Sequence, residues 1–224
     1  MRLVSFKKSN EIKIGLVQKD GATVVDLSIA APDLPADMNG FIDLGQSAMD
    51  QAAAASAEEG EGAKLKLSEV ELVAPIPNPR RNVFCVGRNY YEHAQEFHDS
   101  GFDATSGATA VPDDPIIFTK ATTSVSGPSD PIPSYLDSSN STDYEGELAV
   151  IIGKEGRGIK KADAFDYVYG YTVSNDVTAR TLQHKHKQWH IGKSLDGYCP
   201  MGPMLVTSDE AGHPDTFHLK TIVN

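Results

Sequence analysis

Glu145 and Glu147 stand two apart in a largely apolar segment that runs to Ile152, and a third carboxylate, Asp176, ends the next apolar run. Residues two apart on a strand point to the same face, so this segment holds two anions side by side. Burying carboxylates that repel each other is costly without a compensating cation. Three acids that offer only oxygen ligands suit Mg²⁺ or Mn²⁺ better than zinc. Alternatively, the two glutamates form the solvent face of an edge strand, and Asp176 caps a helix.

His93 and Glu96 are three apart on a short predicted helix, so they share a face and can interact. A histidine that a carboxylate orients can act as a base that activates water. The alternative is a salt link on an exposed helix. The pair precedes Asp99–Asp114, which is rich in Gly, Asp, Ser and Ala and is predicted to be a mobile surface loop. A lid that carries the base would order when substrate arrives.

Lys193 lies in a segment punctuated by glycine and proline. A lysine near three acids can pair with a substrate carboxylate or a developing oxyanion, although most lysines are simply solvated. Arg180 and Gln183 are three apart on a helix predicted after Asp176, so they either reach the same pocket or cover the surface.

Residues 1–75 are predicted to form a small N-terminal domain that contains β-strands. Alternating patterns predict three short strands there, at Met1–Phe6, Ile12–Gln18 and Ala22–Leu27. Ser47–Glu59 has the composition of a surface helix that Ser47 caps, and the prolines of Val70–Pro79 favour a linker.

Residues 76–224 are predicted to form the catalytic domain. Strands are expected at about Asn82–Gly87, Ile116–Thr119, Gly146–Ile152, Tyr167–Ser174, Met204–Val206 and Leu219–Val223, with a short helix at about Val177–His184. Many short strands with few helices indicate a β-rich α+β fold with long functional loops.

The composition narrows the class of function. A net charge of -11 argues against nucleic acid or an anionic membrane as the partner. Cys85 and Cys199 lack metal-binding spacing and are interpreted as small buried apolar residues. The N-terminus does not resemble a signal peptide, and no apolar run approaches the roughly 18 residues of a membrane span. We therefore expect a cytoplasmic protein.

Together these residues resemble the fumarylacetoacetate hydrolase family over about Val83 to Pro203. The motifs that match, in order along the chain, are Gly87–Tyr90 with His93 and Glu96, Phe118–Lys120, Ser124–Pro131, Asp143–Ala149, Tyr169–Arg180 and Gly192–Pro203. So many matches in the right order make chance similarity improbable.

The resemblance implies mixed strands rolled into a sandwich-like barrel, and usually a homodimer. It implies Mg²⁺ or Mn²⁺ bound by Glu145, Glu147 and Asp176, and a substrate that is a small anionic 2-oxo acid or β-diketo acid. The implied catalytic residues are His93, Glu96 and Lys193. Arg88, Tyr90 and Gln183 are the implied substrate-binding residues, and Arg180 is interpreted as structural.

Our main hypothesis from the resemblance is a hydrolase that cleaves a carbon–carbon bond of acylpyruvates in the catabolism of aromatic or related compounds. The first alternative keeps the site and changes the reaction to an oxaloacetate-type decarboxylase, or to an isomerase or hydratase of unsaturated 2-oxo-dicarboxylates. The second is a metal-binding protein without activity. Thr181 stands where many relatives carry Asp, and the family domain usually continues beyond Asn224, so we expect the natural protein to be longer.

Overall fold

The main sheet joins strands from both ends of the chain. The structure is a computed structural model that describes residues 1–57, 62–90 and 113–223. The strands are β1 (Arg2–Lys8), β2 (Glu11–Val17), β3 (Thr23–Asp26), β4 (Lys64–Lys66), β5 (Glu71–Val73), β6 (Val83–Gly87), β7 (Ile116–Lys120), β8 (Val125–Ser126), β9 (Thr142–Asp143), β10 (Gly146–Ile152), β11 (Val168–Asn175), β12 (Thr178–Ala179) and β13 (Cys199–Thr207).

The helices are short, and most lie beside the ends of strands. They are α1 (Leu27–Ala30), α2 (Met38–Asp43), α3 (Gln46–Ala57), α4 (Arg180–Lys185), α5 (His190–Lys193) and α6 (Ser208–Ala211). Turns of 3-10 helix occupy Leu67–Glu69, Thr122–Ser124, Ser134–Leu136, Lys161–Tyr167 and Pro214–Thr216. Among the described residues, no helix is long and apolar enough to cross a membrane.

The nine-stranded sheet runs in the order β10-β11-β13-β1-β2-β3-β4, with β5 pairing β1 and β8 pairing β13. Its pairs are antiparallel except β13 with β8, which is parallel. Two further pairs, β6 with β7 and β9 with β12, form separate two-stranded sheets.

The largest apolar core lies between the N-terminal strands and helices. Leu3, Leu16 and Val25 pack there with Phe41 of α2 and Ala48 of α3. The opposite side of β1 buries Val4 and Phe6 under other apolar residues, among them Leu65 and Leu72. Because both sides are covered, the four consecutive residues Leu3–Phe6 of β1 are all buried, and burial does not alternate along the strand.

The pairing of β10 with β11 positions the acids. Gly146 lies opposite Asn175 and Glu147 lies opposite Ser174, so the start of β10 is beside the end of β11. The backbone N–H of Asp176 donates to the carbonyl of Glu145 at 2.8 Å, which extends the ladder by one bond. Residues that are far apart in sequence therefore meet at one corner of the sheet.

The β-rich α+β fold predicted from the sequence is confirmed, but the described strands do not close into a barrel. Helix α4 begins at Arg180 and not at Val177, because Thr178 and Ala179 pair with β9 instead. The strand expected at Leu219–Val223 is wrong, since the chain there is irregular. The division of the chain at residue 75 stays a prediction, and β1 pairs directly with β13.

Candidate active site

Three carboxylates predicted as metal ligands come together at the corner formed by β10 and β11. Glu145 immediately precedes β10, Glu147 is its second residue, and Asp176 directly follows β11. One carboxylate oxygen from each lies within 4.8 Å of the other two. The side chains of Glu145 and Asp176 are only 11% and 3% exposed. These low exposures do not fit the alternative interpretation of the pattern, in which the glutamates form the solvent face of an edge strand.

Lys193 bridges two of these acids. Its Nζ lies 2.7 Å from Glu145 Oε2 and 2.7 Å from Asp176 Oδ2. Burial alone would lower the pKa of Lys193, but the negative charges of Asp176 and Glu145 raise it. Lys193 is therefore a buried ammonium group at neutral pH and not a solvated lysine.

Two more cations, Lys120 and Arg180, form ion pairs with Asp176 and Glu145. Lys120, the last residue of β7, donates to Asp176 Oδ1 at 2.6 Å. Arg180, the first residue of α4, lies 2.6 Å from Glu145 Oε1 and donates from Nε to Asp143 Oδ2 at 2.9 Å. Burial would raise the pKa of Asp176, but Lys193 and Lys120 hold it below the ordinary value. The asparagine side chain of Asn175 also accepts from the Glu145 backbone N–H at 2.9 Å.

Glu147 differs from its two neighbours, because no described side chain is hydrogen-bonded or ion-paired to it. Burial, followed by the charges of Asp176 and Glu145, raises the pKa of Glu147 to about 7. Lys193 and Lys120 lower this pKa only in part, so this half-buried carboxylate is only about half-ionised at neutral pH. A divalent ion shared with Asp176 and Glu145 would supply the remaining positive charge.

The space beside the acids also fits an ion. A cavity of about 20 Å³, which holds roughly one water-sized particle, is bounded by all three carboxylates. Together with the oxygen-only donor set, this size suits Mg²⁺ or Mn²⁺. A much larger cleft of about 1250 Å³ shares Glu147 and Asp176 as part of its wall.

The described residues predicted to bind substrate line the same small cavity. Arg88, with a φ of 56°, follows β6 and is buried, and burial lowers the pKa of its guanidinium. The Tyr90 hydroxyl accepts from the Leu148 backbone N–H at 3.2 Å. Gln183 is 2% exposed, and its Oε1 accepts from Arg180 at 3.3 Å. The cavity therefore brings together Arg88, Tyr90, Gln183, Lys193, Glu145, Glu147 and Asp176. His93 and Glu96 lie outside the described residues.

An aromatic layer supports Lys193. The ring of Phe118 lies 5.1 Å from Lys193 Nζ, in cation–π range, and meets the ring of Trp189 edge-on at 5.2 Å. Trp189 in turn covers Gly87, where a Cβ would come within 2.5 Å of the indole ring. Gly87 is needed for this close approach of the ring.

Replacement of Gly87 by alanine is expected to displace Trp189 and lower the free energy of unfolding by about 1–3 kcal/mol, the usual cost of overpacking. The chain has one tryptophan, so its fluorescence spectrum reports this contact directly. The control is Val86→Ala at a 44% exposed neighbour. An unchanged spectrum and stability in Gly87→Ala would show that the ring does not depend on this contact.

Sequence reasoning missed part of the site. Lys120 belongs to the Phe118–Lys120 segment of the family resemblance, but its burial was not predicted: it ends an apolar strand, where a lysine normally reaches solvent, yet it is 1% exposed. No sequence pattern placed Phe118 or Trp189 at the site, except that Phe118 lies in a segment that matches the family. Arg180 was expected to be structural, and it does hold Glu145, with Asp143 as its second carboxylate partner. Asp143 therefore supplies an acid next to Arg180.

The fold and this site define a sheet-rich α+β protein with a candidate centre for a divalent metal. Residues 82–224 match the family model described as fumarylacetoacetate (FAA) hydrolase C-terminal. A solved structure, the fumarylacetoacetate hydrolase from the psychrophile Exiguobacterium antarcticum, is similar with a TM-score of 0.71 and 37% identity, over 96% of this chain and 69% of that one. The chain belongs to the fumarylacetoacetate hydrolase family.

Two curated relatives carry a more specific name. The mitochondrial oxaloacetate tautomerase fahd2 of Xenopus laevis is 42% identical over 228 residues, which cover 100% of this chain and 67% of the relative. The oxaloacetate tautomerase YisK of Bacillus subtilis is 49% identical over 158 residues, which cover 70% of this chain and 50% of the relative. The alignments thus reach about two thirds of the first relative and half of the second.

Proposed function

We propose that this protein is a divalent-metal-dependent enzyme that acts on small anionic 2-oxo acids, and that it interconverts the keto and enol forms of oxaloacetate. The observation that carries the proposal is the carboxylate triad of Glu145, Glu147 and Asp176, of which Asp176 is buried and the two glutamates are half-buried, next to the Lys193 ammonium. The names of the two tautomerase relatives support oxaloacetate as the substrate. This reaction shares oxaloacetate with the first alternative of the sequence analysis, although that alternative named a decarboxylation, and it differs from the main hydrolase hypothesis.

Mg²⁺ or Mn²⁺ held by the three carboxylates would supply Lewis acidity to a keto oxygen and its neighbouring carboxylate. Lys193, which stays protonated beside its two acids, would donate a hydrogen bond to the C2 oxygen as negative charge develops there. Arg88, on the wall of the small cavity, would pair with a substrate carboxylate.

The orientation of Gln183 follows from its partner. An arginine only donates hydrogen bonds, so the Gln183 atom that faces Arg180 at 3.3 Å must be the carbonyl oxygen. The amide nitrogen of Gln183 is then left as a donor. It would bind a carbonyl, enol or carboxylate oxygen of the substrate, all of which accept hydrogen bonds.

Tautomerisation moves one proton between C3 and the C2 oxygen. The base that takes the C3 proton is proposed to be His93, oriented by Glu96, and both residues lie outside the described part of the chain. The Lys193 ammonium would stabilise the enolate until the oxygen receives its proton. The homodimer and the cytoplasmic location stay predictions.

Hydrolysis of an acylpyruvate is the second candidate, because the similar Exiguobacterium structure is named a fumarylacetoacetate hydrolase. The same metal and Lys193 would stabilise the pyruvate-type enolate that leaves after carbon–carbon cleavage. The two reactions differ in the need for an attacking water, which His93 and Glu96 would activate.

The test is the decay of enol oxaloacetate, followed by ultraviolet absorbance with Mg²⁺ or Mn²⁺ and again with EDTA. Acid–base catalysis typically contributes 10²–10⁴-fold, so we expect an acceleration of about 100-fold or more that EDTA removes. Glu147→Gln at the same metal concentration corrects for catalysis by free ions. A rate equal to that of this control, with cleavage of acylpyruvates instead, would favour the hydrolase.

A further inference from the structure

Lys120 is a buried cation that the proposed reaction does not use. It is 1% exposed, and its Nζ donates to Asp176 Oδ1 at 2.6 Å and to the Val177 carbonyl at 3.0 Å. Lys193 binds the other oxygen, Asp176 Oδ2, at 2.7 Å. Asp176 is therefore held between two ammonium groups, which is more positive charge than one carboxylate needs.

Lys120 does not line the small cavity that would hold the ion. The small cavity is lined by Lys193, Arg180 and Gln183, whereas Lys120 lines the larger cleft on whose wall Glu147 and Asp176 lie. Asp176 thus stands between Lys120 and the small cavity. Any effect of Lys120 on an ion in the small cavity therefore acts through charge and not through contact.

The charges of the described cluster show what Lys120 contributes. The acids are Asp143, Glu145, Glu147 and Asp176, and the cations paired with them are Lys120, Arg180 and Lys193. Fully ionised, these groups carry one net negative charge, and Arg88 on the wall of the small cavity brings the total to zero. A bound divalent ion would give the site two net positive charges, and without Lys120 it would keep one.

We propose that Lys120 is a specificity-determining residue that makes the metal-loaded site more cationic, so that the site favours anionic ligands at the expense of metal affinity. The inference rests on the proposed metal site. A buried unit charge near a divalent ion interacts over several ångströms with little screening. Its removal should therefore strengthen binding of the metal and weaken binding of the anion.

Opposite changes in the metal affinity and the anion affinity distinguish an effect of the Lys120 charge from a structural role of Lys120 in holding Asp176. If Lys120 only held Asp176 in place, its loss would weaken the metal site, typically by 10–100-fold, and the anion site with it. Lys120→Met removes both the charge and the hydrogen bonds. Lys120→Gln removes the charge but keeps an amide that can donate to Asp176 and Val177.

The experiment titrates the full chain with Mn²⁺, and then titrates the Mn²⁺-saturated protein with oxalate, by calorimetry. We expect both variants to bind Mn²⁺ about tenfold tighter and oxalate about tenfold weaker than the wild type. Lys154→Met is the matched control, because it removes the same charge at an exposed position and should change neither affinity. If Lys120→Met does not fold, the Mn²⁺ and oxalate affinities of Lys120→Gln alone test the proposal.

Weaker binding of both ligands, or no change in either, would overturn the role of Lys120, and a wild-type chain that binds no Mn²⁺ would overturn its premise. These affinities are measured without turnover. Failure of oxaloacetate tautomerisation would therefore refute the proposed reaction and leave this inference standing.

Discussion

Replacement of Glu147 by glutamine is expected to stabilise the metal-free protein above neutral pH and to abolish the stabilisation that divalent metal gives. Glu147 has no cationic partner among the described residues, and burial followed by two neighbouring carboxylates raises its pKa to about 7. Among the described residues of the metal-free fold, ionised Glu147 is thus an unpaired charge that Lys193 and Lys120 offset only in part. Glutamine has the same shape and no charge.

The sign of the pH dependence follows from linkage. The pKa of Glu147 is higher in the folded protein than the ordinary value of 4.5. Between these values the folded state binds more protons than the unfolded state, so the free energy of unfolding falls as pH rises. By pH 8 the loss approaches about 3 kcal/mol. Because metal needs the ionised carboxylate, its affinity falls as pH is lowered through about 7.

Urea unfolding at pH 5 and pH 8, with EDTA or with Mn²⁺, measures both effects. With EDTA, Glu147→Gln should exceed the wild type by only about 1 kcal/mol at pH 5 and by about 3 kcal/mol at pH 8. Mn²⁺ should stabilise only the wild type. Glu155→Gln, at an exposed position, is the control for loss of one charge. A variant that Mn²⁺ still stabilises would remove Glu147 from the ligand set.

Replacement of Lys193 by methionine is expected to be the most damaging change at the site. Lys193 is the cation that Glu145 and Asp176 share, and its side chain is 3% exposed. Breaking a buried ion pair by removing one partner typically costs about 3–5 kcal/mol, because a charge is left uncompensated. Loss of the donor to a developing oxyanion should also reduce kcat by about 100-fold or more.

Added metal distinguishes the loss of stability from the loss of catalysis in Lys193→Met. Added Mn²⁺ should recover part of the lost stability, because it supplies positive charge to the same acids, but it should not recover kcat. Thermal unfolding and oxaloacetate turnover at saturating Mn²⁺ measure the two quantities. Lys185→Met, at an exposed position on α4, controls for loss of a lysine nearby. Full turnover in metal-saturated Lys193→Met would exclude Lys193 from the chemistry.

The acids of the site could be predicted because their signal is local. Glu145 and Glu147 stand two apart at the start of an apolar strand, and Asp176 ends the next one, so the antiparallel pairing of adjacent strands brings them together. The pairing of Asp176 and Glu145 with Lys193 needed the family order of motifs, because a lone lysine in a turn region has no local signal of burial.

Long-range contacts explain what the sequence did not predict. The pairing of β1 with β13 joins residues about 200 positions apart, and neither strand pattern specifies its partner. The burial of Lys120 depends on Asp176, which is 56 residues away. The late start of α4 has the same cause, since Thr178 and Ala179 pair with β9 before the helix can begin.

Calorimetric titration of the EDTA-treated wild-type chain with Mn²⁺, followed by oxalate, tests the metal site most directly. Oxalate has two adjacent carboxylates and resembles the carboxylate–enolate part of a 2-oxo acid. The proposed site predicts one Mn²⁺ per chain, and oxalate binding only after the ion is bound. Failure to bind Mn²⁺, or equal oxalate binding with and without it, would contradict the assignment of Glu145, Glu147 and Asp176 as a metal centre for 2-oxo acids.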